Sequence, residues 1–311
     1  MTNCGILCNP ASGRLKGRLH EIKRSLNTIP DSSYCEAVSS TEINQSIRRF
    51  ADSRINLFII VGGDGTVHTS FTHLFHIWKG KLPVVAVIPG GTTNMTALDL
   101  GMKRSPIESI SLLGSAIADP EPTKYTLRRV LRIEQGEILK LFGMFFGCGL
   151  IPHGVKFFHN NIRGLGVTNE FAGGFVMIKY LPGFLFRPGN LPATHLTLLM
   201  EGRTVERHDC LAAFATTLDR LLLGVRPYRN LKTDSLFFTA INNNMKSVWS
   251  SVISLLAGNG GGSGDIQAGS MDRLEFLFDG DFIVDGEMYH ARRQDGPVSI
   301  TRTEPITFLV V

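Results

Sequence analysis

The amino-acid sequence predicts an α/β domain followed by a second domain rich in β-strands. Before about residue 125, apolar runs with the composition of buried strands alternate with segments in which apolar residues recur every three or four positions. Beyond Pro120-Glu-Pro122 the sequence changes to short strand-like segments separated by turns. We therefore place one domain at residues 1–125 and the other at residues 126–302.

The first domain is predicted to hold short buried strands joined by helices. Apolar runs indicate strands at Gly5 to Cys8, Ile55 to Val61 and Val84 to Ile88. Apolar residues at helical spacing indicate helices through the sets Ile43, Ile47 and Phe50; Val67, Phe71, Leu74 and Trp78; and Ile107, Ile110, Leu113 and Ile117. This alternation is typical of βαβ units, so we expect a doubly wound α/β sheet with helices on both faces.

The second domain is predicted to be an all-β, sandwich-like unit. Its strand-like segments are Thr126 to Ile133, Leu139 to Phe146, His195 to Met200, Leu211 to Thr216, Leu236 to Ile241, Leu274 to Phe278 and Phe282 to Val284. Many short strands separated by turns favour an antiparallel sandwich or barrel. Phenylalanine is frequent between residues 142 and 186, where it would form a core more often than a lipid contact.

Composition excludes several classes of protein. With 43% hydrophobic and 19% charged residues, the 311-residue chain is globular and not disordered. No uninterrupted apolar run approaches the roughly 18 residues of a membrane-spanning helix, and the start of the chain lacks the basic region of a signal peptide. The formal charge of +5 is modest. The five cysteines have neither paired nor metal-binding spacing. We therefore expect a reduced cytoplasmic protein.

The junction Gly62-Gly-Asp-Gly-Thr66 follows an apolar run and is typical of a phosphate-binding turn. Glycines allow backbone NH groups to approach an anion closely, and a helix beginning at Thr66 would direct its first amides at the same point. Asp64 is then either a metal partner or a base beside phosphates, or a helix cap in a tight glycine turn. The motif alone leaves these alternatives open.

Two further polar loops follow predicted strands, at Asn9-Pro-Ala-Ser-Gly13 and Pro89-Gly-Gly-Thr-Thr-Asn94. The carboxyl ends of parallel strands meet along one edge of such a sheet, so we expect all three loops to form a single site. Ser40 joins them because it follows the expected second strand. Candidate ligands of a nucleotide are Asn9, Ser12, Gly13, Ser40, Gly62, Gly63, Asp64, Gly65, Thr66, Gly91, Thr92, Thr93 and Asn94.

The three loops and Val284-Asp-Gly-Glu287, taken in order, resemble the motifs of the diacylglycerol kinase catalytic-domain family, which includes sphingosine, ceramide and bacterial soluble lipid kinases. The resemblance extends from Asn9 to Glu287. It implies a first domain similar to NAD kinase and phosphofructokinase, to which a last strand at about residues 303–311 returns. It also implies ATP and Mg²⁺ as cofactors and a lipid alcohol as acceptor.

The resemblance also implies roles for acidic residues. It makes Asp285 the leading general base, Glu287 a metal or nucleotide partner, and Asp64 the second catalytic carboxylate, with the roles of Asp285 and Asp64 open to exchange. On an extended strand, Asp285 and Glu287 would project to the same side. From spacing alone, Asp-Gly-Glu more often forms a surface turn.

The segment Leu231-Lys-Thr-Asp234-Ser-Leu236 resembles a structural magnesium loop of bacterial family members. The resemblance implies oxygen ligands from Leu231, Asp234 and Leu236, which suit magnesium. Ser235, however, stands where glycine is usual. An ordinary turn between two strands explains Asp234 equally well.

Three classes of function agree with these features. They are an ATP-dependent lipid kinase, a NAD kinase-like enzyme with a soluble acceptor, and a catalytically idle nucleotide-binding protein. The first is favoured because the motifs at Asn9 and Gly91 differ from those of NAD kinases, and because all three acidic residues are present. It predicts a cytoplasmic protein, peripheral at the inner membrane surface, with a lipid substrate and no nucleic-acid partner; a homodimer is compatible with the sequence.

Overall fold

The computed structural model describes residues 2–119, 124–161, 194–200, 203–221, 224–231, 236–260 and 270–311. The chain divides into two compact units. The first comprises Met1–Arg128 with Pro305–Val311, and the second comprises Arg129–Glu304. The observed division after Arg128 lies close to the one predicted after residue 125, and the C-terminal strand joins the first unit.

The first unit alternates strands and helices along the chain. Its strands are β1 (Cys4–Cys8), β2 (Ser32–Glu36), β3 (Leu57–Gly62), β4 (Val84–Pro89), β5 (Lys124–Arg128) and, at the end of the chain, β17 (Ile306–Val310). Its helices are α1 (Leu19–Leu26), α2 (Ser40–Asp52), α3 (Asp64–Ile77), α4 (Met95–Asp99) and α5 (Pro106–Ala118). The strands form one sheet in the order β2-β1-β3-β4-β17-β5, in which β1 to β4 are parallel.

The α/β class predicted for this unit is confirmed, and local signals explain its elements. β1 and β3 are buried along their whole length, as expected of parallel strands covered on both faces. α2 packs against α3, and α1 packs against α5, which gives the two groups of helices that a doubly wound sheet requires. α2 begins with a capping box, in which Ser39 and Glu42 satisfy each other's backbone amides.

β17 completes the core of the first unit with residues from the far end of the chain. It pairs parallel with β4 and antiparallel with β5. Phe308 is fully buried there, and its ring meets that of Phe71 edge-on at a centroid distance of 6.1 Å. The sheet of the first unit is therefore complete only when the C-terminal strand β17 is in place between β4 and β5.

The second unit is built on an antiparallel sheet. Its strands are β6 (Leu131–Gln135), β7 (Leu139–Gly143), β8 (Phe145–Gly149), β9 (Thr194–Met200), β10 (Arg203–Thr216), β11 (Leu236–Asn242), β12 (Ser270–Met271), β13 (Arg273–Leu277), β14 (Gly280–Val284), β15 (Glu287–Ala291) and β16 (Val298–Arg302). Its helices are α6 (Leu150–Asn161) and α7 (Met245–Ala257). The strand order is β15-β14-β8-β10-β9-β13-β16-β6-β7, with β11 beside β10 and β12 beside β11.

The antiparallel β class predicted for the second unit is confirmed, whereas several details differ from the prediction. The expected strand Thr126 to Ile133 is divided between β5 and β6, which belong to different sheets. Among its described residues, the helices α6 and α7 make the unit less than purely β, and neither they nor β15 and β16 were predicted. β15 lies at the edge of its sheet with mainly exposed, polar side chains, so it lacks the apolar run that identifies a buried strand.

Replacement of Phe308 by alanine is expected to destabilise the first unit by about 3–5 kcal/mol, because it removes a buried ring and leaves a cavity beside Phe71. Urea unfolding followed by circular dichroism measures the change. Leu127→Ala is the control, since Leu127 on β5 is 60% exposed and its loss should cost at most about 0.5 kcal/mol. Equal unfolding midpoints for the two variants would contradict the role of β17 in the core.

Candidate functional site

Two pairs of glycines lie against each other where β3 and β4 end. A Cβ atom on Gly91 would stand 2.5 Å from the Cα of Gly63, and one on Gly63 would stand 2.9 Å from the Cα of Gly91. The NH of Gly90 donates to the carbonyl of Gly62 at 2.8 Å. Non-bonded contacts of a Cβ atom are essentially never shorter than 3.0 Å. Only glycine at both positions therefore allows these two loops to touch.

The loop that follows β1 is attached to the same place through Asn9. The backbone NH of Asn9 donates to the carbonyl of Val61 at 2.9 Å. Its side-chain Nδ2 donates to Oγ1 of Thr66 at 2.9 Å, and its Oδ1 accepts from the NH of Ala11 at 3.0 Å. Asn9 thus connects the first loop to the first turn of α3 and is already occupied by protein partners.

Contacts also join the first loop to the loop after β4. The NH of Arg14 donates to the carbonyl of Gly90 at 2.8 Å. A Cβ atom on Gly13 would lie 3.0 Å from Oγ1 of Thr92. Because β1, β3 and β4 are neighbours in the sheet, the three polar loops form one continuous surface at the carboxyl ends of these strands.

Asn94 fixes the shape of the loop after β4. Its backbone adopts the left-handed conformation, with a φ of 52°, and its side chain is buried. Oδ1 accepts from the NH of Gly91 at 2.7 Å, and Nδ2 donates to the carbonyl of Gly91 at 2.7 Å. Asn94, predicted as a direct ligand, therefore has its side chain committed to holding Gly91 in place.

Asp64 is the first residue of α3, and its carboxylate binds the start of α4. Oδ2 accepts from the NH of Met95 at 3.0 Å, and Oδ1 accepts from the NH of Thr96 at 3.1 Å. Burial raises the pKa of Asp64, while these backbone hydrogen bonds act in the opposite direction. α3 begins two positions before the predicted Thr66, with Gly63 as its N-cap. Asp64 thus caps the N-terminus of the neighbouring helix α4 and not that of its own helix α3.

Ser40 has a partner that sequence reasoning missed. Its Oγ lies 2.9 Å from Nε2 of His73, and Nδ2 of Asn44 lies 2.9 Å from Nδ1 of the same ring. An amide nitrogen can only donate, so Nδ1 is the acceptor and Nε2 carries the proton that Ser40 accepts. Burial lowers the pKa of His73, which favours this neutral form. His73 therefore connects α2 and α3.

The remaining predicted ligands lie on the same three loops with different exposure. Ser12 is buried, and its carbonyl accepts from the NH groups of Leu15 and Lys16. Thr93 is exposed, while Thr92 and Gly65 are half-buried. The loops therefore combine polar groups that hold the fold with hydroxyl groups that reach solvent.

In the second unit, Asp285 occupies the hairpin between β14 and β15. Its φ of 48° and the φ of 90° at Gly286 are typical of a type I′ turn. Oδ2 of the buried carboxylate accepts from the NH of Met144 at 2.9 Å, and Oδ1 accepts from the NH of Phe145 at 2.9 Å. Asp285 therefore fastens the hairpin to the start of β8.

The expectation that Asp285 and Glu287 project from one side of an extended strand is wrong. Asp285 lies in the left-handed region, whereas Glu287 is the first residue of β15 and is exposed. The turn separates the two carboxylates, because it reverses the chain between Val284 and Glu287, which pair across the hairpin. The Asp-Gly-Glu motif thus places one acid inside the protein and the other in solvent.

The predicted magnesium loop is only partly described. Asp234 and its neighbours in 232–235 lie outside the described residues. Leu231 packs against the aromatic residues Phe214, Tyr228 and Phe237, and Leu236 is buried in β11. Among the described residues, no group of three or more His, Cys, Asp or Glu side chains gathers to hold a metal ion.

Residues 3–121 match the family model for the diacylglycerol kinase catalytic domain. The match includes all three loops of the first unit and confirms the resemblance inferred from the motifs. A catalytic domain of this family implies a phosphotransferase of the kinase type. No curated protein shows a significant match to the sequence.

Solved structures share the fold over nearly the whole chain. A crystal structure of a diacylglycerol kinase from Bacillus anthracis strain Sterne has a TM-score of 0.70 and 19% sequence identity, covering 99% of this chain and 97% of the other. Two further structures from the same bacterium have a TM-score of 0.71 at the same identity and coverage. At this identity the likeness establishes the fold alone.

Gly91→Ala is expected to destabilise the first unit by about 1–3 kcal/mol, because the added methyl group forces apart the two glycine loops. Gly114→Ala is the matched control: a Cβ atom there would lie 3.6 Å from Oγ1 of Thr28, and alanine within α5 should stabilise the helix by about 0.5–1 kcal/mol. Thermal unfolding compares the two variants. A melting temperature for Gly91→Ala at or above that of Gly114→Ala would disprove the loop contact.

Asp285→Asn is expected to destabilise the second unit by about 1–3 kcal/mol, since one amide oxygen cannot replace both carboxylate acceptors of Met144 and Phe145. Asp31→Asn is the matched control, because Asp31 has a φ of 47° but an exposed side chain. Asparagine tolerates this backbone conformation. Differential scanning calorimetry measures both variants, and equal losses would assign the effect to the backbone and not to the hydrogen bonds.

Proposed function

We propose that the chain is an ATP-dependent lipid kinase, which transfers the γ-phosphoryl group to the hydroxyl of a diacylglycerol-like or sphingoid lipid at a membrane surface. The observation that carries this proposal is the contact of the Gly62-Gly63 and Gly90-Gly91 loops beside the first turn of α3. The match to the diacylglycerol kinase catalytic domain over the same residues supports it.

The chemistry of the glycine loops suits a row of phosphates. Gly63 is the N-cap of α3 and supplies no side-chain acceptor, so the first amides of the helix are left to another partner. These amides and the helix dipole favour an anion. The glycines carry no side chain that would keep an anion away, so a phosphate oxygen is able to approach the backbone NH groups of these loops closely.

The polar side chains divide into two groups in this proposal. Asn9, Asp64 and Asn94 hold the loops together through hydrogen bonds to backbone and side-chain groups. Thr92 and Thr93 carry the hydroxyl groups that donate to phosphate or ribose. The nucleotide therefore meets a surface whose shape is fixed before it binds, which lowers the entropic cost of binding.

Magnesium fits these residues as an ion carried mainly by the nucleotide. Mg²⁺ usually keeps several waters and takes one or two carboxylates together with substrate phosphates, and the described residues offer no larger set of ligands. Asp64 is the carboxylate within the loops, where its oxygens also accept from the NH groups of Met95 and Thr96. When bound, the ion neutralises phosphate charge during transfer.

Activation of the acceptor requires a group that takes a proton from its hydroxyl. Asp285 remains the predicted general base, although two backbone amides already donate to its carboxylate. Glu287, two residues later, is exposed and bears the same functional group. Comparison of Asp285→Asn with Glu287→Gln separates a residue that holds the hairpin from one that accepts the proton.

Magnesium-dependent release of ADP from ATP tests the proposal, with diacylglycerol, monoacylglycerol, sphingosine or ceramide in mixed micelles and NAD in a parallel reaction. We expect turnover with one lipid, lost by about 100-fold or more in Glu287→Gln or Asp285→Asn and retained in Gly114→Ala. Turnover with NAD alone would replace the lipid kinase by a NAD kinase-like enzyme. ATP binding without turnover in any reaction would favour an idle nucleotide-binding protein.

A further inference from the structure

One helix of the second unit presents large apolar side chains to solvent. Trp249, Ile253 and Leu256 of α7 are 42%, 64% and 62% exposed. Their spacing of four and then three residues places them on one stripe of the helix, which we call the α7 face. In the described part of the chain, no helix has the length and apolar character needed to cross a membrane.

The opposite side of α7 is already anchored in the protein. Val248 and Ser251 are buried, and Leu255 packs against the cluster that contains Phe214. Asn244 caps the helix by accepting from the NH of Ser247 at 2.8 Å. The α7 face therefore belongs to a helix whose position is fixed by other residues.

Cationic residues flank the α7 face at both ends. Lys246 is exposed in the first turn, and the thirteen residues of the helix include no Asp or Glu. Arg226 and Arg229 are exposed in the preceding segment. That segment reaches the end of α7, because a Cβ atom on Gly258, the C-cap, would lie 2.2 Å from Cγ of Arg229. The helix therefore combines an apolar stripe with positive charge.

We propose that the α7 face docks on the surface of an anionic phospholipid bilayer. The three apolar side chains enter the headgroup region, where tryptophan is enriched in membrane proteins, and the three cations lie beside lipid phosphates. An apolar helical stripe bordered by Lys and Arg is typical of helices that lie in the membrane interface. This docking proposal rests on the proposed function, because a lipid kinase must reach an acceptor in a bilayer. Vesicle binding is nevertheless measurable without turnover.

Trp249 provides a direct reporter, because the only other tryptophan is Trp78. In Trp78→Phe protein, we expect the emission of Trp249 to shift to shorter wavelength with phosphatidylglycerol vesicles, and the protein to co-sediment with them. Phosphatidylcholine vesicles should bind at least about tenfold less protein, because they lack the negative surface. Binding to the anionic vesicles should weaken as the salt concentration rises.

Two double variants in the Trp78→Phe background identify the surface. Ile253→Ser/Leu256→Ser should lower partition into phosphatidylglycerol vesicles by about tenfold or more, since it removes most of the apolar area that enters the bilayer. Leu127→Ser/Ile138→Ser makes the same two exchanges at positions that are 60% and 98% exposed elsewhere. This control should bind vesicles as well as its parent.

Equal vesicle binding by the two double variants, or none by the parent, would overturn the proposal. A fluorescence shift on concentrating the protein without lipid, abolished in Ile253→Ser/Leu256→Ser, would show that the α7 face joins two copies of the chain, and would overturn it as well. ADP release with a lipid acceptor in detergent micelles should be unchanged in that variant. Absence of turnover in every protein, with vesicle binding intact, would reject the kinase and leave the docking surface supported.

Discussion

The contact between Gly63 and Gly91 is the constraint on which the rest of the candidate site depends. The Cα atoms are so close that a methyl group at either position would collide, so the contact holds the loops that lead from β3 to α3 and from β4 to α4 against each other. The carboxylate of Asp64 then reaches the first amides of α4, and the side chain of Asn94 binds both backbone groups of Gly91. The site is therefore shaped by protein contacts before any ligand arrives.

The second unit uses the same physical device. Asp285 binds two consecutive amides, as Asp64 does, and holds a left-handed turn that asparagine or aspartate tolerates better than other side chains. In both motifs the acid that resembles a catalytic residue also holds backbone in place. A loss of activity on replacing either acid would therefore not by itself distinguish a role in transition-state chemistry from an altered backbone, and a stability measurement on the same variant is needed to separate them.

How far the sequence predicted this molecule depends on the range of the interactions involved. Apolar runs and helical spacing identify β3, α3 and β4 because the residues that a segment buries are apolar and lie close together in the sequence. The partners of Asp64 lie about thirty residues away, at Met95 and Thr96, and such pairing has no local signal. His73 shows the same limit, since its neighbours on α2 come near only when the sheet has formed. The motif Gly62 to Thr66 indicated the candidate site, but the fold was needed to show which of its side chains hold the loops together.

Apolar composition was equally ambiguous about the surface. The phenylalanines that begin the rich stretch after residue 142 are core residues where they are described: Phe142 and Phe146 are buried, and Phe145 stacks on Phe214. Three of the exposed large apolar residues lie together on α7, in a segment where serine interrupts the apolar pattern. Ser251 is buried while Ile253 and Leu256 are exposed, so hydropathy alone does not identify the buried side of α7. Exposure of large apolar side chains is informative only after the fold shows which of them the core has left unused.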